Sequence, residues 1–345
     1  MRAWVINTPA PDVASAATPS DTMIRAAQQQ VEAATAAIVT AYGSRGTAFA
    51  VRYRGQDFLI TSGHVTNNLV QSSTGFDYHG RKLFPIVRGN QFAFAEHLAV
   101  NPQGSVCNDK TFINDSFRDL SILRLLTTEQ TRTALYDLSF AADSKARLDR
   151  ALGYYPALKN PLADGQWTKE ELETLTQHFR LPSIAIDVPL SSITAQPSYS
   201  FGYFDNQPHL VPSMATTNRD NRSAIIVDYR CNAPVIPGHS GSLVFQVSPL
   251  GRVEPIAVIA ASQLSDLKAY GVHFSRVREG LDAVINGMLV RNVRNLDGVC
   301  DINQGQSAWL SPEGMVPSIL PRSKPTTAAT HGTGNDNLPL HCRQR

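Results

Sequence analysis

The chain has 345 residues, of which 42% are hydrophobic and 17% charged, and 31 basic against 29 acidic side chains leave a net charge of +2. At roughly 100–200 residues per domain this is room for two or three domains, with enough chain to bury sizeable cores without a metal or disulfide staple. The composition excludes a collagen, a coiled coil, a fully disordered chain and a polytopic membrane protein, and the linear sequence holds no long basic run that would mark a nucleic-acid partner.

Residues 6–21 are rich in Ala, Pro, Ser, Asp and Thr and read as a flexible lead-in. Arg2 is the sole basic residue near the start, and Ala3–Val5 is too short for a secretory apolar region. Ile24, Ala27, Val31, Ala34 and Ile38 recur at spacings of three and four, which predicts a packing helix over 22–36, capped by Asp21 or Thr22. Short strand signals follow at 38–42, 47–53, 58–61, 82–87, 91–100 and 120–125, with Gly43–Gly46 and Arg54–Asp57 as turns. Such a density of short strands argues for a barrel or sandwich rather than βαβ units.

Further along, Thr168 and Glu171 form a capping box ahead of Leu172, Leu175 and Phe179, which predicts a surface helix over 167–179. Strand signals return at 184–188, 198–203, 223–229, 242–247, 255–260 and 271–274. Val277, Leu281, Val284, Ile285 and Leu289 then lie on one side of a closing helix over 277–290. Beyond about residue 299 the pattern fades into a Pro, Ser, Thr, Gly and Asn-rich extension. No internal repeat is evident. Cys107, Cys231, Cys300 and Cys342 form no C-x-x-C pair, so the sequence offers neither a zinc nor a redox motif, and it does not assign disulfides. No run of about 18 apolar residues predicts a membrane-spanning helix.

Three segments carry the chemistry. Leu59-Ile60-Thr61-Ser62-Gly63-His64-Val65 runs a strand into a small-residue corner that presents His64. Arg118-Asp119-Leu120-Ser121-Ile122-Leu123 puts an acid ahead of an apolar strand. Pro237-Gly238-His239-Ser240-Gly241-Ser242-Leu243-Val244 sets a glycine-flanked serine before another strand. A serine hydroxyl is a poor nucleophile at neutral pH and needs a neighbouring base, which needs in turn an acid to orient it. The chain order His, Asp, Ser supplies all three. Asp115 competes for the acid's role but lacks an apolar strand directly behind it. A G-x-S-x-G nucleophile elbow fails, because position 242 is serine and Ser240, Asp266 and His273 are crowded into too short a stretch.

These segments resemble the chymotrypsin/trypsin-like serine peptidases, in particular bacterial and viral-style members. Thr61-Ser62-Gly63-His64-Val65 is similar to the family's T-A-x-H segment, Asp119–Leu123 to its D-[IL]-[AS]-[LIV]-L segment, and Gly238–Ser242 to G-[DN]-S-G-[GS]. Gly153-Tyr154-Tyr155-Pro156 loosely resembles the strand that opens the second barrel. Gly271–Val277 resembles the last strand before the closing helix. The resemblance covers about residues 37–290. It implies an all-β fold of two six-stranded antiparallel β-barrels, with an N-terminal and a C-terminal helix. The expected division is 1–36 lead-in and packing helix, 37–149 first barrel, 150–290 second barrel with a helical insertion and closing helix, and 291–345 extension.

The function that the resemblance implies is a serine endopeptidase, a hydrolase acting on protein or peptide substrates without metal or cofactor. His64, Asp119 and Ser240 would be the triad, and the backbone N–H groups of Gly238 and Ser240 the oxyanion hole. The specificity pocket would be formed by Pro234 and Val235 at its base, with Ala260, Ala261, Ser262, Gly271 and His273 as walls. With no acid at the base, the expected P1 side chain is apolar or small. His239 replaces the acid or amide usual before the serine, which argues for a site preformed without zymogen cleavage. Family resemblance points to a secreted or periplasmic setting. A catalytically silent binding protein of peptidase fold and an esterase are the alternatives. Oligomeric state is not legible.

Overall fold

The computed structural model describes residues 18–43, 45–66, 74–101, 119–153, 168–177, 179–187, 196–204, 207–217, 224–229, 238–263, 268–289, 309 and 311. Helix α1 (Asp21–Ala34) is capped by Ser20, whose hydroxyl accepts from the Met23 N–H, so the cap lies one residue ahead of the expected pair. It passes without a loop into β1 (Thr35–Val39), which takes Ile38 out of the helical pattern. Next come β2 (Arg45–Tyr53), β3 (Gln56–Thr61), the single turn α2 (Gly63–Thr66), β4 (Phe76–Tyr78), β5 (Arg81–Arg88), β6 (Gln91–Asn101) and β7 (Leu120–Leu125).

These strands pair in the order β1-β2-β3-β7-β6-β5, and β5 returns to β1, closing an antiparallel six-stranded barrel with β4 appended to β5. One inward position after another fills it: Ala36, Ile38, Ala48, Ala50, Leu59, Phe84, Ile86, Ala95 and Leu123. Alanines are frequent here because a small barrel tapers and leaves little room.

Strand β1 is buried at every position rather than at alternate ones. The cause is a helical cover that sequence periodicity largely missed. Helices α3 (Thr128–Phe140), α4 (Ala142–Leu152) and α5 (Lys169–Thr176) follow β7. Leu135, Leu138, Leu148, Leu152, Leu172 and Leu175 pack on the outward residues Val39, Leu83, Val87, Phe92 and Phe94. A strand covered on both faces loses its alternation. The expected capping box of Thr168 and Glu171 is present, and Thr127 with Gln130 forms a second one ahead of α3. Gly153, expected at the strand opening the second barrel, instead ends α4; Tyr154–Pro156 lie outside the described residues.

The two-residue strand β8 (Ile184–Ala185) pairs parallel to β2. The second barrel then comprises β9 (Ser198–Phe204), β10 (Gln207–Thr217), β11 (Ala224–Asp228), β12 (Leu243–Val247), β13 (Val253–Gln263) and β14 (Lys268–His273). It closes in the order β9-β10-β11-β14-β13-β12. Numbered one to six within each barrel, both orders read 1-2-3-6-5-4. The halves therefore repeat one topology that the sequence does not display. Val211, Ala215, Ile225, Val227, Val244, Ala257, Ile259 and Ala269 fill the second interior.

Helix α6 (Ser275–Ile285) follows β14 and packs on β6 and β7 of the first barrel as well as on β14. A third core lies between the barrels, bracketed by α1 and α6: Val31, Phe49, Ile60, Ile122, Phe201, Leu243, Phe245, Phe274, Val277 and Leu281 meet there. Trp309, from the extension read as largely unanchored, is 3% exposed and joins this core. It lies over Gly280, where a Cβ would stand 2.3 Å from the indole ring.

The readings of residues 6–17, of Asp115, of the four cysteines and of most of 291–345 fall outside the described residues. Among the described residues no helix is long and apolar enough to cross a membrane.

Candidate functional site

Strand β3 ends at Thr61, and the chain turns through Ser62 into α2, which carries His64. Gly63 has no room for a side chain. A Cβ would stand 3.0 Å from the Asn101 carbonyl oxygen and 3.1 Å from Asp119 Oδ1. That closeness lets Asp119 grip the turn twice. Its Oδ1 accepts the His64 N–H at 2.7 Å, and its Oδ2 lies 2.6 Å from His64 Nδ1. A carboxylate can only accept, so the proton sits on Nδ1 and Nε2 is left with a lone pair. Asp119 is fully buried, while the His64 side chain is 36% exposed.

Burial is the largest single influence on His64 and favours its neutral form. The Asp119 charge and hydrogen bond together outweigh it, and the imidazole pKa is raised above 6.5. Below the turn, Thr66 Oγ1 donates to Ser121 Oγ at 2.8 Å, and Ser121 Oγ lies 2.7 Å from His97 Nε2. His97 is fully enclosed, and burial pushes its pKa down to about 4. It sits at the end of the first barrel's interior, and nothing in the sequence singled it out.

From the second barrel comes the turn Gly238–Gly241. Gly238 has φ 109° and Gly241 φ 91°, values that favour glycine. Gly241 also marks the closest approach of the two barrels: a Cβ there would fall 2.0 Å from the Thr47 carbonyl oxygen and 2.4 Å from Thr61 Oγ1. Ser240 therefore rides on a turn pressed against the β2 and β3 residues beside His64. The Ile259 carbonyl accepts both the Gly241 N–H at 2.8 Å and the Ser62 hydroxyl at 2.5 Å, tying the serine turn and the histidine turn to one atom. Ser240 itself is half-buried.

The expected pocket residues fare unevenly. Pro234 and Val235 lie outside the described residues. Ala261 and Ser262 stand on β13 opposite Tyr270 and Ala269. Gly271 is buried on β14 with the Ala257 methyl 2.9 Å from where its own Cβ would be. His273 Nδ1 accepts the Ser275 N–H at 3.2 Å, satisfying one of the donors that the start of α6 leaves free. Burial, then the charge of Arg276, lowers its pKa. His239 is 2% exposed with both ring nitrogens unpartnered among the described residues. Burial, and then the neighbouring His209, bring it down to about 4. Among the described residues no group of His, Cys, Asp and Glu could hold a metal ion.

No family model matches the chain, and no curated protein does. Among solved structures it is similar to the thermostable serine protease AL20 from an extremophilic microorganism, at 11% identity and TM-score 0.42, over 71% of this chain and 94% of that one. It is also similar to the active form of the Rv3671c protease from M. tuberculosis, at 12% identity and TM-score 0.38, over 80% and 92%. A third is the human pathogenic astrovirus serine protease, at 11% identity and TM-score 0.36, over 70% and 89%. The strand pairing itself decides the architecture: two closed six-stranded barrels of like order, with a packed seam between them, are the chymotrypsin-like serine peptidase fold.

Proposed function

We propose that the chain is a serine endopeptidase acting through an acyl-enzyme on Ser240, with His64 as general base and Asp119 as its orienting acid. The single observation that carries this reading is the two-point grip of Asp119 on His64 beside the turn that bears Ser240. It is the grip a general base requires: Nδ1 occupied, Nε2 free, and the imidazolium that forms on proton transfer matched by a buried negative charge.

In this mechanism Ser240 Oγ bonds to the scissile carbonyl carbon as its proton passes to His64 Nε2. The carbonyl π pair moves to oxygen, whose negative charge the N–H groups of Gly238 and Ser240 receive. Collapse breaks the C–N bond, and His64 returns the proton to the leaving amine. Water then repeats the sequence on the ester, releasing the acid and restoring Ser240. The substrate class is protein or peptide, with an apolar or small P1 side chain as the expected preference.

The test is labelling of purified protein with a fluorophosphonate, alongside Ser240→Ala and heat-denatured protein. Labelling of the folded wild type alone, mapped to Ser240, is the expected result. Absence of label on well-folded protein would favour a catalytically silent binding protein. A peptide library then reads P1, and cleavage dominated by Arg or Lys would overturn the apolar or small preference.

A further inference from the structure

Thr47 lies on β2, in the first barrel, yet most of its polar atoms serve the second. Its N–H donates to the Ser240 carbonyl at 2.8 Å. Its hydroxyl donates to the Gly238 carbonyl at 2.8 Å, and the same oxygen accepts the Tyr203 N–H on β9 at 2.9 Å. Its own carbonyl accepts from Thr61 Oγ1 at 2.7 Å, which fixes β2 against β3 at this level.

A peptide unit is planar, so holding the carbonyl oxygen of one residue also fixes the N–H of the next residue. Three successive carbonyls of the serine turn are held: Gly238 by the Thr47 hydroxyl, His239 by the Ser242 N–H at 2.9 Å, and Ser240 by the Thr47 N–H. The His239 carbonyl shares its plane with the Ser240 N–H, and Thr47 holds the peptide unit on either side of it, through the Gly238 and Ser240 carbonyls. The Ser240 and Gly238 N–H groups have no acceptor among the described residues.

The residue between them does not help. His239 is buried with neither ring nitrogen bonded among the described residues. At Gly238, φ 109° admits glycine and little else, and glycine has the widest choice of alternatives if the restraint is lost.

We propose that Thr47 is the positioning residue of this site: from the first barrel its hydroxyl holds the Gly238–His239 peptide unit and its N–H the Ser240–Gly241 unit, and the unit clamped between them carries the Ser240 N–H that faces the developing oxyanion. The proposal rests on the peptidase reading and goes beyond it. It makes the registration of the two barrels, through one side chain, a condition of transition-state stabilisation.

Thr47→Val keeps the shape and the backbone bond to Ser240 but removes the bond to Gly238. Thr47→Ser retains it. The expected result for valine is a loss of kcat of about 10- to 100-fold, short of removing an oxyanion donor outright, with KM within about twofold. Affinity for a peptide boronic acid should fall in parallel, since its tetrahedral adduct places an oxygen where the oxyanion forms. Serine should restore both. A valine variant with wild-type kcat, or one that loses kcat and keeps its boronate affinity, would overturn the proposal.

The backbone amide NMR resonances of residues 238–242 give a readout that needs no turnover. They should shift and broaden in Thr47→Val and return in Thr47→Ser. If the wild type is silent to the fluorophosphonate, the peptidase reading fails by itself. The amide spectrum then decides on Thr47, with unchanged resonances counting against it. If Thr47→Val does not fold, Thr47→Ala and Thr47→Ser are compared by the same two measures.

Discussion

His64 is pulled in two directions, and the balance sets how the proposed peptidase activity should respond to pH. Burial favours the neutral ring, while Asp119 more than compensates and raises the pKa above 6.5. A general base works only unprotonated. The kcat/KM profile should therefore rise with pH through an acid limb whose midpoint lies above 6.5, and Asp119→Asn should pull that midpoint down. A wild-type midpoint at or below 6.5 would contradict the proposed pairing. The same shift has a sign for stability: the His64–Asp119 attraction contributes fully below the unfolded pKa and is lost as pH rises through the higher folded one.

At this scale the sequence was most informative. His64 and Ser240 each stand where a small-residue turn meets a strand, Asp119 stands directly ahead of one, and three such segments in the right order seldom coincide. Thr47 was not legible, because a threonine inside a β-strand is what strand propensity alone would place there. Its role depends on a partner 191 residues away.

Among the elements, the omissions have physical causes. Strand β10 carries Pro208 and Pro212, and proline demotes a run to a strand edge or to no strand at all. Yet it pairs with β9 along its first half, opposite Tyr203 and Tyr199. Helices α3 and α4 went unread although Thr127 and Gln130 cap the first as clearly as Thr168 and Glu171 cap α5. The strand that opens the second barrel was sought at Gly153-Tyr154, whereas the structure puts Gly202-Tyr203 on it. Gly202 is needed there because a Cβ would stand 1.9 Å from Ser242 Oγ.

Trp309 is the one surprise of the extension, and it makes an element-scale prediction. It fills the notch over Gly280 and joins α6 to the core between the barrels. Trp309→Ala should lower unfolding free energy by about 3–5 kcal/mol, the usual range for emptying a buried aromatic site. Urea denaturation measures it, and a midpoint equal to wild type would show that the indole contributes nothing.

For the molecule as a whole, His97 and His239 are two buried groups that bear on the response to acid. One sits in the interior of the first barrel and the other in the serine turn of the second, and burial is the main cause of both shifts to about 4. The sign is opposite to that of His64. Their neutral forms stabilise the fold above the unfolded pKa, and the contribution is lost as pH falls towards the folded one. Between about pH 6.5 and 4 these two histidines take up protons in the unfolded chain that they refuse in the native one. Urea midpoints measured across that window should drop steadily as pH is lowered, and His97→Asn should flatten part of the slope. A midpoint independent of pH there would refute the assignment.

The Ile259 carbonyl holds both the Ser62 hydroxyl and the Gly241 N–H, and Ile259 comes near the end of the described chain. A polypeptide emerging from the ribosome exposes His64 and Asp119 well before that oxygen, and Ser240 nineteen residues before it. Until β13 pairs with β14 and α6 closes behind them, no common acceptor draws the two turns together. Synthesis thus carries its own delay: His64 and Asp119 can pair as soon as the first barrel is made, yet the turn that bears Ser240 joins them only once β13 has followed.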